Sequence, residues 1–180
     1  MLAPTIETAR LLLRHPAAED LDAFVTFSAD AEATRFLGGP LTPHAAWRAW
    51  AMLAGAWQLR GYSMFSVIEK ESGRWVGRVG PWMPEGWPGA EVGWGIAPWA
   101  QRRGYAREAA TAALDFAFAR LGFETVIHCI DPANTPSLAL AARLGSRLLR
   151  RDVAAPAPLV ARWDLYGQSR EEWEGRARNT

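Results

Sequence analysis

Cysteine is almost absent from this 180-residue chain: Cys129 stands alone, so no disulfide can form within it. That usage fits a reducing compartment. Long hydrophobic runs are missing too. No stretch approaches the ~20 apolar residues that a membrane-spanning helix needs. The opening MLAPTIETARLLLRH holds only the run Leu11 to Leu13, without the apolar segment of a secretory leader. A cytoplasmic protein that engages no membrane is expected. There is no excess charge of either sign, because 20 basic and 19 acidic residues leave a formal charge of +1. This excludes a broad basic face for nucleic acid and an acidic tail, though a local basic cluster can hide within a balanced sum. His15, His44 and His128 are scattered, and no His/Cys pair has metal-ligand spacing, so no metal site is expected. Two phosphate-binding signatures are absent as well. There is no GxxxxGK followed by Ser or Thr, and Gly93-Trp94-Gly95 leads to Pro98 instead of the helix that a dinucleotide fingerprint requires.

What is present is a globular composition, 49% hydrophobic and 22% charged. The length suits one domain over residues 1–180, with no repeat or long linker to divide it. Of the ten tryptophans, five (Trp75, Trp82, Trp87, Trp94 and Trp99) lie close together in the chain. They read either as core and rim packing or as an aromatic wall around a substrate.

Local patterns give the element order. Ile6 to Arg14 reads as a strand, and a helix starts at Asp20. Thr42-Pro43 caps a second helix that Gly61 ends. Strands over Tyr62–Glu69 and Trp75–Trp82 form a hairpin around Gly73, and Ala90–Ile96 follows a proline- and glycine-rich loop. Apolar spacings of three and four predict a helix from Gly104 to about Gly122. Thr125–Ile130 is a β-branched strand, and Thr135 is the expected cap of a helix ending at Leu144-Gly145. Leu148–Val153 and Leu159–Tyr166 close the sheet, and Ser169 with Glu172 makes a capping box for a last helix. The result is an α/β chain with a mixed sheet: antiparallel hairpins and one parallel pair across a strand–helix–strand passage.

The stretch EVGWGIAPWAQRRGYAREAA carries the chemistry. Glycines weaken strands, so Gly93 and Gly95 imply a bulge or the close approach of another backbone. The turn into a long helix at Gly104 can aim free N–H groups, backed by the helix dipole, at an anion. Arg102, Arg103 and Arg107 add charge there. A plain strand-to-helix turn is the simpler alternative for the glycine alone.

QRRGYA resembles the Q/R-x-x-G-x-G/A signature of the GNAT acetyltransferases. The opening TARLLLRHPAAEDLDAF, the segment NTPSLALAARLGS and the ending SREEW resemble, in the right order, the branch that includes ribosomal-protein N-terminal (RimJ/RimL-type) acetyltransferases. The matches run from about Thr8 to Trp173. This resemblance implies a mostly antiparallel sheet, flanked by helices, whose central parallel strands Ala90–Ile96 and Thr125–Ile130 splay apart. Acetyl-CoA would be the co-substrate. Its pantetheine would lie in the splay against the backbone of Trp94 and Ile96. Its pyrophosphate would rest on N–H groups of Arg102, Arg103, Gly104, Tyr105 and Ala106, with Gln101 at the signature's first position. Asn134 would contact the cofactor or a nearby water; as a plain turn residue it would do neither.

Acetyl transfer to a primary amine needs a neutral nucleophile, whereas such amines have pKa values of about 8 to 10. Glu91 is the candidate base; its simpler reading is a solvent-facing carboxylate or an arginine's partner. A backbone N–H of the splayed strand would serve the developing oxyanion. Many GNAT members protonate the departing thiolate with a tyrosine, but that position falls on Ala141. The branch offers Ser137 instead, which could equally be an ordinary first-turn polar residue. The segment also ends LGS where LGF is usual, so Ser146 departs from the pattern. Trp82 and Trp87 are the expected acceptor-side residues, and Cys129 in a buried strand is expected to be inert. The acceptor is expected to be a small amine or a protein N-terminus, and the oligomeric state a monomer or homodimer. A non-catalytic acyl-CoA-binding module is the competing reading, kept open by Ala141.

Overall fold

The computed structural model describes residues 4–157 and 159–177. In chain order the elements are β1 (Ile6–Glu7), β2 (Leu11–Arg14), α1 (Leu21–Ala29), α2 (Ala31–Thr34), α3 (Pro43–Arg60), β3 (Phe65–Glu69), β4 (Trp75–Trp82) and β5 (Glu91–Ile96). Then follow α4 (Tyr105–Ala119), β6 (Thr125–Ile130), α5 (Thr135–Leu144), β7 (Arg147–Ala154), β8 (Arg162–Ser169) and α6 (Arg170–Ala177), with single 3-10 turns before α1 and α4. The strands form one eight-stranded sheet in the order β1-β2-β3-β4-β5-β6-β8-β7. It is antiparallel except between β5 and β6.

The expected α/β class and mixed sheet are what the molecule has. Several boundaries differ, each for a physical reason. The first strand divides at Thr8 into a hairpin, because the Glu108 carboxylate on α4 accepts from the Thr8 hydroxyl at 2.5 Å and the Arg10 N–H at 2.8 Å. These long-range bonds override local β propensity. The closing strand begins at Arg162 and continues through Ser169, because β6 offers it a full antiparallel partner from Thr125 to Ile130. Gly167 is needed in that register, since a Cβ there would stand 2.3 Å from the Val126 carbonyl oxygen. Asn134, not Thr135, caps α5: its Oδ1 accepts from the Ser137 N–H at 3.2 Å, satisfying a first-turn donor. Helix α3 begins and ends as expected, with Thr42 accepting from the Ala45 N–H and Gly61 left-handed at φ 75°.

Helices cover both sheet faces. On one face α4 presents Ala109, Ala110, Ala113, Leu114 and Ala117, all fully buried against Val67, Val76, Val79 and Val92. Small side chains let this helix lie close to β4 and β5. On the other face Phe24, Phe27, Leu53, Met64 and Trp75 form a second cluster with α1 and α3. Trp75 and Trp57 are buried packing residues, as the simpler reading of the tryptophans holds. No helix among the described residues is long and apolar enough to cross a membrane.

Candidate active site

The parallel pair holds together at one point. Glu91 stands opposite Ile127, and the Ile127 N–H donates to the Ala90 carbonyl at 2.9 Å. Beyond it β5 and β6 share no further register pair among the described residues. The Glu91 side chain occupies the start of this divergence. Its Oε1 accepts from the Cys129 N–H on β6 at 3.0 Å, and its Oε2 accepts from the Trp87 indole N–H at 2.7 Å. The carboxyl group is buried, with 7% of its surface exposed, and burial pushes its pKa above the ordinary carboxylate range. The two hydrogen bonds and the nearby Arg78 pull the other way, by favouring the ionised form. The reading of Glu91 as a solvent-facing carboxylate is therefore wrong: it is a buried, oriented acid.

Gly93 and Gly95 share the Glu91 face of β5. A Cβ at Gly93 would lie 2.8 Å from the Met64 methyl, and one at Gly95 would lie 3.0 Å from the Phe27 ring. Close approach explains both glycines, and the neighbours are side chains where a backbone was expected. Here the sheet becomes the floor of a cavity of about 200 Å³. Trp82, Trp87, Glu91, Trp94, Asn134 and Ser137 all line it. One hollow thus brings together both candidate catalytic groups, both acceptor-side tryptophans and two of the expected cofactor contacts.

Ser137 lies in the first turn of α5, where its hydroxyl oxygen accepts from the Trp94 indole N–H at 3.1 Å. That bond leaves the hydroxyl proton free to be donated elsewhere. Trp94 also packs on His128, with ring centroids 4.8 Å apart. His128 is buried and fixed at both nitrogens: Nδ1 is 2.7 Å from the Val92 carbonyl and Nε2 is 3.0 Å from Ser146 Oγ. A carbonyl can only accept, so Nδ1 carries the proton and Nε2 receives the serine's. Burial pushes the His128 pKa down to about 4, which keeps the ring neutral. Gln168 completes the chain by donating to Ser146 Oγ at 3.0 Å. The departure at Ser146 thus has a structural basis, because a phenylalanine could not bridge His128 and Gln168.

The remaining expected cofactor residues lie at the other end of β5. Gly104 is left-handed at φ 83° and caps α4, and Arg102 is left-handed at φ 61°. Such residues in a turn gather successive N–H groups into an anion-binding concavity. The first helical bond returns from Glu108 to the Gly104 carbonyl at 3.1 Å, so the preceding N–H groups have no partner inside the helix. Side chains brace this turn. Arg10 donates to the Arg103 carbonyl at 2.9 Å, and Gln101 donates to the Ile96 carbonyl at 3.1 Å. The Tyr105 phenol is buried on Glu69, and Arg103 lies 3.4 Å from the same carboxylate. Tyr105 and Arg103 can therefore serve an anion through their N–H groups, while their side chains hold the turn. Ile96 and residues 101 to 106 are not among those lining the cavity of Glu91 and Ser137. The Ile96 carbonyl is already engaged.

Residues 10–147 match the model of the acetyltransferase (GNAT) domain. The chain belongs to the GNAT family. The uncharacterized N-acetyltransferase p20 of Bacillus licheniformis is 30% identical over 139 residues, which cover 76% of this chain and 78% of that protein. The crystal structure of an acetyltransferase from Agrobacterium tumefaciens superposes with a TM-score of 0.82 at 29% identity, covering 93% of this chain and 95% of the other. A candidate ribosomal-protein-serine acetyltransferase from Vibrio cholerae superposes at 0.76 with 25% identity, over 94% and 99% of the two chains. The resemblance to the ribosomal-protein branch holds at the level of structure as well. GNAT enzymes use acetyl-CoA, and membership of the family is consistent with acyl transfer.

Among the residues at this cavity that were not singled out from sequence, three stand out. Trp163 on β8 packs against Trp87, with ring centroids 5.1 Å apart. Arg78 on β4 and Phe36 after α2 also line the cavity. Arg78 lies on the strand paired with β5, a signal that could have been read had the hairpin register been traced onward from Gly73. Phe36 and Trp163 enter from segments remote in sequence, and no local pattern marks them. Cys129 also lines the cavity, where burial and the neighbouring Glu91 carboxylate push its thiol pKa far up and disfavour the thiolate. Among the described residues no three His, Cys, Asp or Glu side chains are grouped to hold a metal.

Proposed function

We propose that this chain is an acetyl-CoA-dependent N-acetyltransferase that acts on a primary amine by direct attack in a ternary complex. The observation that carries the reading is the single cavity joining Glu91 to Ser137. Acetyl-CoA would run from the Gln101–Ala106 turn, where the N–H groups suit a pyrophosphate, to the splay beyond Glu91, with Trp94 and Asn134 beside it. It supplies the activated acetyl group.

The chain's own residues do the rest. Glu91, its pKa raised by burial, accepts the proton of the acceptor amine directly or through one water. The amine nitrogen forms the new C–N bond as the C–S bond breaks. Ser137, whose oxygen is already held by Trp94, either donates a hydrogen bond to the leaving thiolate or gives it the hydroxyl proton and takes back the proton that the amine nitrogen sheds on acylation, directly or through water. The positive end of α5 favours charge at that position. A thiol pKa of about 8.5 makes the thiolate a fair leaving group that needs modest help. A cytoplasmic location is part of the same proposal.

The test is thiol release from acetyl-CoA against a broad amine panel, with mass spectrometry of the products. Sustained release with an acetylated product supports the reading, whereas tight CoA binding without turnover supports the acyl-CoA-binding module. Glu91→Gln should lose most activity above the Glu91 pKa and below that of the amine, where wild type has an ionised base and the acceptor is still charged. Its defect should shrink as pH rises and more of the amine is already neutral. A defect constant across pH would remove Glu91 from the role of base.

A further inference from the structure

We infer that the acceptor carries a carboxylate close to its amine, and that Arg78 receives it. This rests on the acetyl-transfer reading and adds the substrate class. In the β4–β5 ladder Arg78 pairs with Gly95, whereas Trp82 pairs with Glu91. The backbones of Arg78 and Glu91 are thus four residues of strand apart, roughly 13 Å at ~3.3 Å each. Their side chains nevertheless converge on Gly93: Arg78 meets Met64, and the Met64 methyl and Glu91 Oε1 would lie 2.8 and 3.5 Å from a Cβ at that glycine. Arg78 and Glu91 both line the cavity.

The guanidinium is poorly served by the protein. Its Nη1 donates to the Met64 sulfur, and a thioether is a weak acceptor for a group with five donors. Removal from water pushes its pKa below the ordinary value, with Glu91 opposing the shift. Both Glu91 oxygens are already engaged, by Cys129 and Trp87. The chain treats another arginine differently: Arg14 meets both oxygens of buried Asp20 at 2.8 Å. An arginine held in a ligand cavity against a sulfur is poised for a planar anion, and a carboxylate can accept from it in bidentate fashion.

Size narrows the class. The hollow of about 200 Å³ falls below the ~300–1,000 Å³ of drug-sized ligand sites. An amine at Glu91 and a carboxylate at Arg78, in a hollow that Phe36, Leu37 and Met64 also line, fit a free amino acid or a molecule of that size.

The experiment compares leucine, methionine, phenylalanine, serine and glutamate with their α-amides, and with a six-residue peptide bearing an N-terminal leucine. Wild-type protein, Arg78→Gln and Arg78→Lys are each assayed by thiol release and by calorimetry in the presence of CoA. At least one amino acid should exceed its amide by about 10- to 100-fold in kcat/KM, the range of a hydrogen bond to a charged group. Arg78→Gln should abolish that ratio, mainly through KM, and Arg78→Lys should restore part of it. The ratio is the decisive readout, because acid and amide use the same base and any effect of Arg78 on Glu91 cancels. Equal turnover of acids and amides by wild type, or a ratio that survives in folded Arg78→Gln, overturns the inference while acetyl transfer stands. Faster turnover of the peptide than of free leucine overturns it too. If no amine releases thiol, acid-selective binding lost in Arg78→Gln upholds the carboxylate site while acetyl transfer fails. Absence of such binding overturns the inference.

Discussion

Replacing Trp87 with phenylalanine removes one N–H and little else. The indole donates to Glu91 Oε2 at 2.7 Å, and its ring packs on Trp163, a contact that phenylalanine can largely keep. The lost bond favours the ionised carboxylate. Burial already holds the Glu91 pKa above the ordinary range, so removing a donor moves it further the same way. A base acts only when ionised, and the acid limb of kcat/KM therefore moves to higher pH. A hydrogen bond to a charged group contributes about 1.5–3 kcal/mol, which corresponds to about 10- to 150-fold in the ionised fraction. On the acid limb kcat/KM should fall by a factor in that range, and on the alkaline plateau it should come within a few-fold of wild type. Steady-state thiol release from pH 5.5 to 9.5, with acetyl-CoA saturating, measures both. A residue that merely walls the acceptor would raise KM equally at every pH. A uniform loss across the profile would therefore refute the chain of reasoning from Trp87 through Glu91 to the amine.

Gly104→Val places a β-branched residue at φ 83° with its Cβ 3.3 Å from an Arg10 nitrogen; CoA affinity should drop at least tenfold by calorimetry, and unchanged affinity in a folded variant would misplace the pyrophosphate. Ser137→Ala should lower kcat by about 100-fold, the low end for proton transfer by a placed group, with acetyl-CoA Kd little changed; full kcat where chemistry is rate-limiting would hand the proton to water. Ser146→Ala strips His128 Nε2 and Gln168 Nε2 of their shared partner, and urea denaturation should show a loss of about 1–3 kcal/mol, the cost of buried polar groups left unpaired.

How much of this could be read from residues depended on whether the deciding forces were local. Helix α3 was legible because Thr42, Pro43 and Gly61 are each local signals. Strands β4 and β6 were legible to the residue, since β-branched runs and flanking turns frame them. The left-handed turn into α4 was legible from Gly104, whereas its reading as an anion site needed the resemblance of the whole QRRGYA segment. The hairpin at Thr8 was not, since its form depends on Glu108 on a distant helix. The site divides in the same way. Glu91, Trp87 and Cys129 could be named individually, but their mutual hydrogen bonds depend on how β5 and β6 diverge. Ser146 looked like a loss of packing until His128 and Gln168 supplied its partners, which lie 18 and 22 residues away.

The brace between Arg10 and the turn at Arg103 and Gly104 spans 93 residues of chain, and its bond to Glu108 spans 98. The shape of this turn is thus a property of closure between distant parts of the chain, not of the hexapeptide that displays the signature. Closing a flexible loop costs only about 0.6 kcal/mol more per doubling of its length, so the equilibrium penalty is modest, but non-local contacts slow folding. A ribosome-bound chain cannot complete this brace until Glu108 has emerged. A fragment starting after Arg10 would carry QRRGYA intact and still lack the guanidinium that fixes its backbone.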